Sequence, residues 1–212
     1  MTDTDQRQSL RREMRQRRRT LSFEQQQQAA KQLCQRLSHQ PLFLRSQHIA
    51  FYLPNDGEID PMPLLHLAWQ QGKQCYLPVL MPHGENSLCF IRYDKHTTLI
   101  QNRFGIAEPD TKNAEQILAQ DLDLVLMPLV AFDAAGNRMG MGGGFYDRTF
   151  AFKQHTLDHN PYLLGLAHSC QQVDQLHSEH WDIPLHGIAT DAEVILSNTI
   201  HARRDFINFS ND

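Results

Sequence analysis

The sequence predicts an α/β protein of three layers, with helices on both sides of a mainly parallel sheet. Three observations lead there. Short apolar, β-rich runs alternate with helical segments along most of the chain, which is the pattern of a parallel sheet with crossover helices. The most apolar run, "LDLVLMPLVAF" at 122–132, reads as a buried strand. No Pro/Gly/Ser-rich linker and no internal repeat divides the 212 residues, so 1–197 read as one domain and 198–212 as a loose C-terminal tail.

The elements follow in order. Residues 6–40 read as helical, and the arginine-rich part, 6–19, forms a first helix in which Leu10 and Met14 keep an i, i+4 spacing. Ser22 with Gln25 makes a capping box for a second helix, whose apolar stripe includes Leu33 and Leu37. "HIAFYLP" (48–54) is a strand. "DPMPLLHLAWQQG" (60–72) is a helix with proline near its start and glycine at its end. "KQCYLPV" (73–79) and "SLCFIRY" (87–93) are strands, and "AEQILAQ" (114–120) is a short helix. The 122–132 strand comes next, then glycines, then a helix over 145–156. "YLLGLAH" (162–168) and "AEVILS" (192–197) complete the strands.

Composition narrows the function. Hydrophobic content of 41% and charged content of 21% are those of a soluble globular protein. No run of about 18 apolar residues suggests a membrane span, and no basic start leads into an apolar stretch as in a secretory signal. A cytoplasmic location is expected. Cys34, Cys75, Cys89 and Cys170 are scattered without a CxxC pair, so they read as reduced and packed. His155 and His159 could share a helix face, but no HExxH surrounds them, and they read as solvated positions. The net charge of −4 hides an asymmetry: residues 1–19 carry +4 and the remainder −8. Clustered arginine attracts nucleic acid. Here the rest of the chain is acidic and no aromatic residues interleave "QSLRREMRQRRR", so no nucleic-acid partner is expected. Asp3, Asp5 and Glu13 argue against a transit peptide. The expected protein is a monomer without a membrane partner.

The densest chemistry lies in "NRMGMGGGFYDR" (137–148), which places four of the chain's eleven glycines within five positions. They follow the best strand and precede a helix, where open α/β sheets bind ligands. Glycine lets backbone amides approach a ligand closely, and several such amides make an anion site. A glycine cluster alone also fits a plain flexible turn. The flanks point further. Arg138 and Arg148 suit phosphate oxygens, Asp147 suits Mg²⁺, and Phe145 and Tyr146 suit a flat ring. Neither GxxxxGK[ST] nor GxGxxG is present, so this is not a standard P-loop or dinucleotide fingerprint. The combination suggests a nucleoside triphosphate with magnesium.

"PLVAFDAAGNRMGMGGGFYDR" resembles the signature of the 5-formyltetrahydrofolate cyclo-ligase family, P-x-x-A-F-D-x-x-G-x-R-x-G-x-G-x-G-Y-Y-D-R. "RQSLRREMRQRR", "FYLPNDGEID", "GKQCYLPV", "FGIAEP" and "EHWDIPLHGIAT" resemble further family segments in the same order, over roughly residues 7–191. The resemblance implies an enzyme that closes 5-formyltetrahydrofolate, with or without a polyglutamate tail, to 5,10-methenyltetrahydrofolate. It uses ATP with Mg²⁺ and releases ADP and phosphate. The formyl oxygen is phosphorylated, N10 attacks, and phosphate leaves. By the same resemblance Arg7, Arg11, Arg138, Gly140, Met141, Gly142, Gly143, Gly144, Phe145 and Tyr146 contact ATP. Arg11, Leu53, Glu58, Gly142, Gly144 and Phe145 contact the folate. Arg138, Arg148 and Tyr146 assist the chemistry, and Asp147 and Asp182 hold the metal. Glu58 would accept hydrogen bonds from pterin N–H groups. Arg7 stands where the family has Lys, and Arg12 and Arg15 compete for the N-terminal contacts. Phe145 replaces a Tyr, and Pro61 a hydroxyl residue. A rival reading is a sugar-phosphate isomerase, which shares the layered fold and a glycine-rich phosphate loop but leaves Asp147 and the paired arginines unexplained.

Overall fold

In a computed structural model that describes residues 3–81, 86–112, 114–154, 160–179 and 181–196, the arginine-rich start forms α1 (Asp3–Arg19). After it come α2 (Phe23–Leu37), α3 (Pro41–Arg45), β1 (His48–Ala50), α4 (Met62–Gln70), β2 (Gln74–Leu80) and β3 (Leu88–Arg92). Next are β4 (Leu99–Gln101), β5 (Ala107–Pro109), β6 (Gln116–Ile117), β7 (Leu124–Pro128), β8 (Ala131–Phe132) and β9 (Arg138–Met139). α5 (Phe145–Thr149), β10 (Tyr162–Leu166), β11 (Gly187–Ala189) and β12 (Val194–Leu196) finish the described chain. His155, His159 and the tail 198–212 lie outside the described residues.

Eight strands form the main sheet in the order β12-β11-β10-β7-β1-β2-β3-β6. The five from β11 to β2 run parallel, and β12, β3 and β6 add antiparallel edges. The period-2 geometry of strands sorts their side chains between two cores. Ile49, Cys75, Leu77, Leu124, Leu126 and Leu164 face one side, where α2, α3 and α4 cover them with Leu33, Phe43 and Leu64. Ala50, Tyr76, Val125, Met127 and Leu163 face the other, against Phe150, Ile183 and Leu185. This second layer is thin. Among the described residues its helical parts include the single turn of α5 and 3₁₀ turns at Ala119–Asp121 and Ala151–Lys153.

Several expectations hold. The Ser22–Gln25 capping box is present in both directions, with Ser22 Oγ accepting from the Gln25 amide at 3.3 Å and Gln25 Oε1 accepting from the Ser22 amide at 2.8 Å. Others need correction. Residues 114–120 are not a short helix. Gln116 and Ile117 pair with β3 instead, and only Ala119–Asp121 make a 3₁₀ turn, because the open edge of β3 offers backbone partners that a seven-residue helix cannot match. The helix expected over 145–156 stops at Thr149, since the sequence after it turns inward to bury Phe150. The 122–132 run is two strands, β7 and β8, separated where the chain leaves the sheet. The hairpins β4–β5 and β8–β9, helix α3 and strand β11 were not read from the sequence. They are short, and their pairing partners are distant or exposed.

Chain order reverses between β1 and β7. From β1 the chain proceeds through α4 to β2 on one side, whereas β7 leads to β10 and β11 on the other. The loops at the carboxyl ends of β1 and β7 therefore diverge and leave a crevice, the usual ligand position in an open parallel sheet. The hairpin β8–β9 delivers the glycine stretch to this crevice. Its turn is fixed by Asp133, 2% exposed, which accepts from the amides of Ala135 (3.0 Å), Asn137 (2.9 Å) and Leu176 (2.9 Å) and from the Asn137 side chain (2.8 Å). Asp133→Ala would leave these donors unpaired. It is expected to lower the free energy of unfolding by about 3 kcal/mol, measured by urea denaturation.

Candidate active site

Helix α1 presents one face to the protein. Arg7, Leu10, Arg11, Met14, Arg15 and Arg18 are buried or half-buried, while Arg12, Glu13, Gln16 and Arg17 are exposed. This is the i, i+3, i+4 face of a helix. Of the competing N-terminal arginines, Arg12 faces solvent, whereas Arg7, Arg11 and Arg15 face inward. Leu10 and Met14 pack on Val130, Ala131 and Met139, beside the start of the glycine stretch. Along the same face Arg7 donates to the carbonyl of His177 (2.7 Å) and lies 3.8 Å from Glu179. Arg11 donates to the carbonyl of Gly140 (3.0 Å). Burial and the neighbouring Arg7 lower the Arg11 guanidinium from its ordinary value, and Asp182 opposes them. The helix thus touches the 177–182 segment, the glycine stretch and, further on, the loop after β1.

Glycine is required in the loop for conformation and for space. Gly142 and Gly144 have φ of 93° and 64°. A side chain at Gly144 would also come within 2.9 Å of the Arg148 guanidinium, and one at Gly143 within 2.7 Å of the Phe145 ring. The loop enters α5 directly at Gly144, and α5 is a single turn of five residues. Most of the backbone available to an anion is therefore loop. Arg148 is anchored by donating to the carbonyls of Asn86 (2.8 Å) and Gly143. Arg138 pairs with Asp147 at 2.5 Å, and the same carboxylate oxygen accepts from the Ile183 amide at 3.2 Å. Asp182 accepts from the Glu179 amide at 2.9 Å and so caps its own turn.

The two aromatic residues behave differently. Tyr146 is turned inward and stacks on Phe150 at 6.4 Å. Its phenol is pushed up by burial and by the neighbouring Glu58 carboxylate. Phe145 faces outward and meets Phe104 edge-on at 6.0 Å. Phe104 was missed from the sequence. It is 57% exposed at the tip of the β4–β5 hairpin, with Arg103 over its ring at 5.1 Å. Its place as the first residue of "FGIAEP" was the available signal, but only the hairpin brings it to the glycine stretch.

Glu58 follows a tight turn. Asp56 and Gly57 have φ of 54° and 74°, and the Glu58 amide donates to the Asn55 carbonyl at 3.0 Å, the geometry of a type I′ turn. Glu58 Oε2 accepts from the Asn55 amide at 3.1 Å. Its carboxylate is pushed up to about 7 by burial, against the opposing pull of Arg18. Leu53 lies partly buried against the helix-covered core, at the mouth of the same loop.

Asp147 and Asp182 supply hard oxygen donors, and among the described residues no cluster of three or more His, Cys, Asp or Glu side chains is present. That donor set fits magnesium, which binds through one or two carboxylates and completes its shell with water and phosphate. It does not fit a protein-caged transition metal.

Fold and site together define an α/β protein whose glycine stretch and flanking arginines lie at the reversal point of a parallel sheet. The chain belongs to the 5-formyltetrahydrofolate cyclo-ligase family, whose model matches residues 3–191, and it is an enzyme of the ligase class. It is 42% identical over 181 residues to the 5-formyltetrahydrofolate cyclo-ligase of Escherichia coli K12, covering 85% of this chain and 98% of that protein. Identity to the Haemophilus influenzae enzyme of the same name is also 42%, over 88% of this chain and 98% of the other. Among solved structures, the 5,10-methenyltetrahydrofolate synthetase of Aquifex aeolicus superposes with a TM-score of 0.76 at 29% identity, covering 91% of this chain and 93% of that one. Among the described residues no helix is long and apolar enough to cross a membrane.

The raised Glu58 carboxyl has a consequence for stability. The folded chain holds this proton more tightly than the unfolded chain, so the contribution is fully present below pH 4.5 and is lost as pH rises through about 7. Glu58→Gln removes the ionisation. It should match the parent protein below pH 4.5 and exceed it above pH 7 by on the order of 2 kcal/mol. Urea denaturation across this pH range measures the difference.

Proposed function

We propose that the enzyme converts 5-formyltetrahydrofolate to 5,10-methenyltetrahydrofolate, with ATP and Mg²⁺ consumed as MgATP and ADP and phosphate released. The observation that carries this reading is that α1 joins two half-sites: Arg11 donates to the Gly140 carbonyl at 3.0 Å, and Arg18 lies 3.6 Å from the Glu58 carboxylate. An acceptor for pterin N–H groups and a cradle for phosphates thus share one crevice.

The chemistry asks the protein mainly to position groups and to stabilise charge on the transferring phosphoryl. A formamide oxygen is a poor leaving group. Its attack on the γ-phosphorus expels ADP and converts it to a phosphate ester. N10 then attacks the activated carbon, the ring closes, N10 loses its proton, and inorganic phosphate leaves. The amides of Gly140, Met141, Gly142, Gly143 and Gly144 bind phosphate oxygens, with Arg7, Arg11, Arg138 and Arg148 supplying positive charge. Asp147 and Asp182 hold magnesium, which supplies charge neutralisation on the phosphates. Tyr146 orients reacting oxygens through its hydroxyl, since burial and Glu58 keep that hydroxyl protonated. Glu58 and Leu53 take the pterin end of the folate. Phe145 and Phe104 offer a flat apolar surface to its aromatic part or to the nucleotide base.

Purified protein mixed with 5-formyltetrahydrofolate and MgATP should develop the near-ultraviolet absorbance of the methenyl product. The signal should require both ATP and magnesium, and a flat trace from folded protein overturns the assignment. Asp147→Asn should lose magnesium-dependent turnover while keeping its thermal midpoint. Near-normal turnover would remove Asp147 from the metal site. Glu58→Ala should raise the folate KM on the order of tenfold with little change in the ATP KM, as read from initial rates. Equal effects on both would count against the pterin contact.

A further inference from the structure

Asp56 sits at the centre of an arginine cluster that neither the glycine stretch nor the metal carboxylates account for. Its carboxylate accepts from Arg15 (2.7 Å), Arg18 (2.9 Å) and Arg19, all from the last turns of α1. Arg18 is fully buried and reaches two carboxylates with one nitrogen: Nη2 lies 2.9 Å from Asp56 Oδ2 and 3.6 Å from Glu58 Oε1. Its other nitrogens are already committed. Nε donates to the Asp56 carbonyl at 2.8 Å and Nη1 to the Leu129 carbonyl at 3.2 Å. Asp56 thus takes the short contact with Arg18, and Glu58 is left at ion-pair distance from the same nitrogen.

We propose that Asp56 is a positioning residue that diverts Arg18 from Glu58, so that the Glu58 carboxylate stays available to the N–H donors of a bound ligand. This rests on the reading of Glu58 as the pterin contact. The backbone supports the arrangement. Asp56 adopts a left-handed conformation, which Asp and Asn tolerate better than most residues. Gly57 follows with its own positive φ and lies so close to α1 that a side chain there would come within 3.3 Å of the Arg18 carbonyl. The turn is thus pressed against the helix, and Asp56 cannot swing away without dragging Glu58.

Other charged and titratable groups also face Glu58. Arg15 and Arg18 approach from α1, Asp56 from its own turn, Tyr52 from the chain after β1, and Tyr146 from α5. Tyr52 is buried with its hydroxyl donated to the Ile59 carbonyl at 2.6 Å. Beyond Arg18 lies His168, which burial holds below its ordinary value. Of these groups Arg18 pulls Glu58 hardest towards its ionised form, and Asp56 opposes it.

Asp56→Asn keeps the turn conformation accessible and removes the charge that holds Arg18. Arg18 should then pair fully with Glu58. In carboxyl-labelled protein followed by ¹³C NMR, the titration midpoint of Glu58 should fall by about one unit. The folate KM should rise on the order of tenfold, with kcat and the ATP KM retained. In a Glu58→Gln background, Asp56→Asn should add no further rise in the folate KM. Arg15→Gln takes a cation away from Glu58 and should move its midpoint in the opposite direction, upward. An unmoved Glu58 midpoint in Asp56→Asn overturns the proposal. That holds whether the folate KM stays constant or all kinetic constants deteriorate along with the thermal midpoint, the latter being the mark of a purely structural role. If Glu58→Gln alone leaves the folate KM unchanged, the pterin reading fails instead, while the NMR midpoints still decide whether Asp56 controls Glu58.

Discussion

A buried guanidinium cannot be left without partners, and that constraint organises the site. Arg18 has none of its side chain exposed, and its bonds to Asp56 and Leu129 tie together the loops after β1 and β7. These are the two neighbouring strands at which the order of the sheet reverses. Helix α1 closes the crevice between them from the amino-terminal end of the chain, through arginines spaced at about one helical turn. Taking Arg18 away would leave the Asp56 carbonyl without its donor and remove one partner each from the Asp56 carboxylate, which keeps Arg15 and Arg19, and the Leu129 carbonyl, which keeps Gln171. The exposed pair Arg17–Glu13, at 2.8 Å on the other side of the same helix, contributes far less, because both partners remain solvated.

The glycine stretch depends on the same frame. Its two ends are pinned before any ligand arrives: β9 pairs with β8, Arg11 holds the Gly140 carbonyl, and Arg148 holds the Gly143 carbonyl. Between them lie Met141, whose side chain is exposed, and Gly142 with its positive φ, so little side chain covers the amides. The cation–carboxylate pair Arg138–Asp147 neutralises itself within the fold. In the proposed reaction both members would exchange that partner, Arg138 for phosphate and Asp147 for magnesium, at a limited electrostatic cost.

Much of this was legible in the sequence. The glycine cluster, its flanking arginines and Asp147 are contiguous, and their chemistry follows from residue type. The apolar run before them declared a buried strand, and Ser22 with Gln25 declared a helix start. Glu58 was found through its family segment, but its raised carboxyl was not readable, since it depends on burial and on arginines of α1 some 40 residues away in the chain. Phe104 could not be assigned to the site without the β4–β5 hairpin that carries it to Phe145. The strand at Gln116–Ile117 was hidden because its two residues pair with an edge strand some 25 residues away, a contact with no local signal.

By itself the sequence determined the layered α/β class, the glycine-rich stretch 137–148 with its flanking charges and the family, because these rest on periodicity and on contiguous chemistry. The tertiary structure alone decided which arginines of α1 face the site, which acid holds Arg18 and how close Glu58 comes to Tyr146. The physical reason is the helix repeat and burial acting together. Seven arginines within nineteen residues are equivalent as composition. A 3.6-residue turn laid against a crevice makes Arg7, Arg11, Arg15 and Arg18 internal and leaves Arg12 and Arg17 in water.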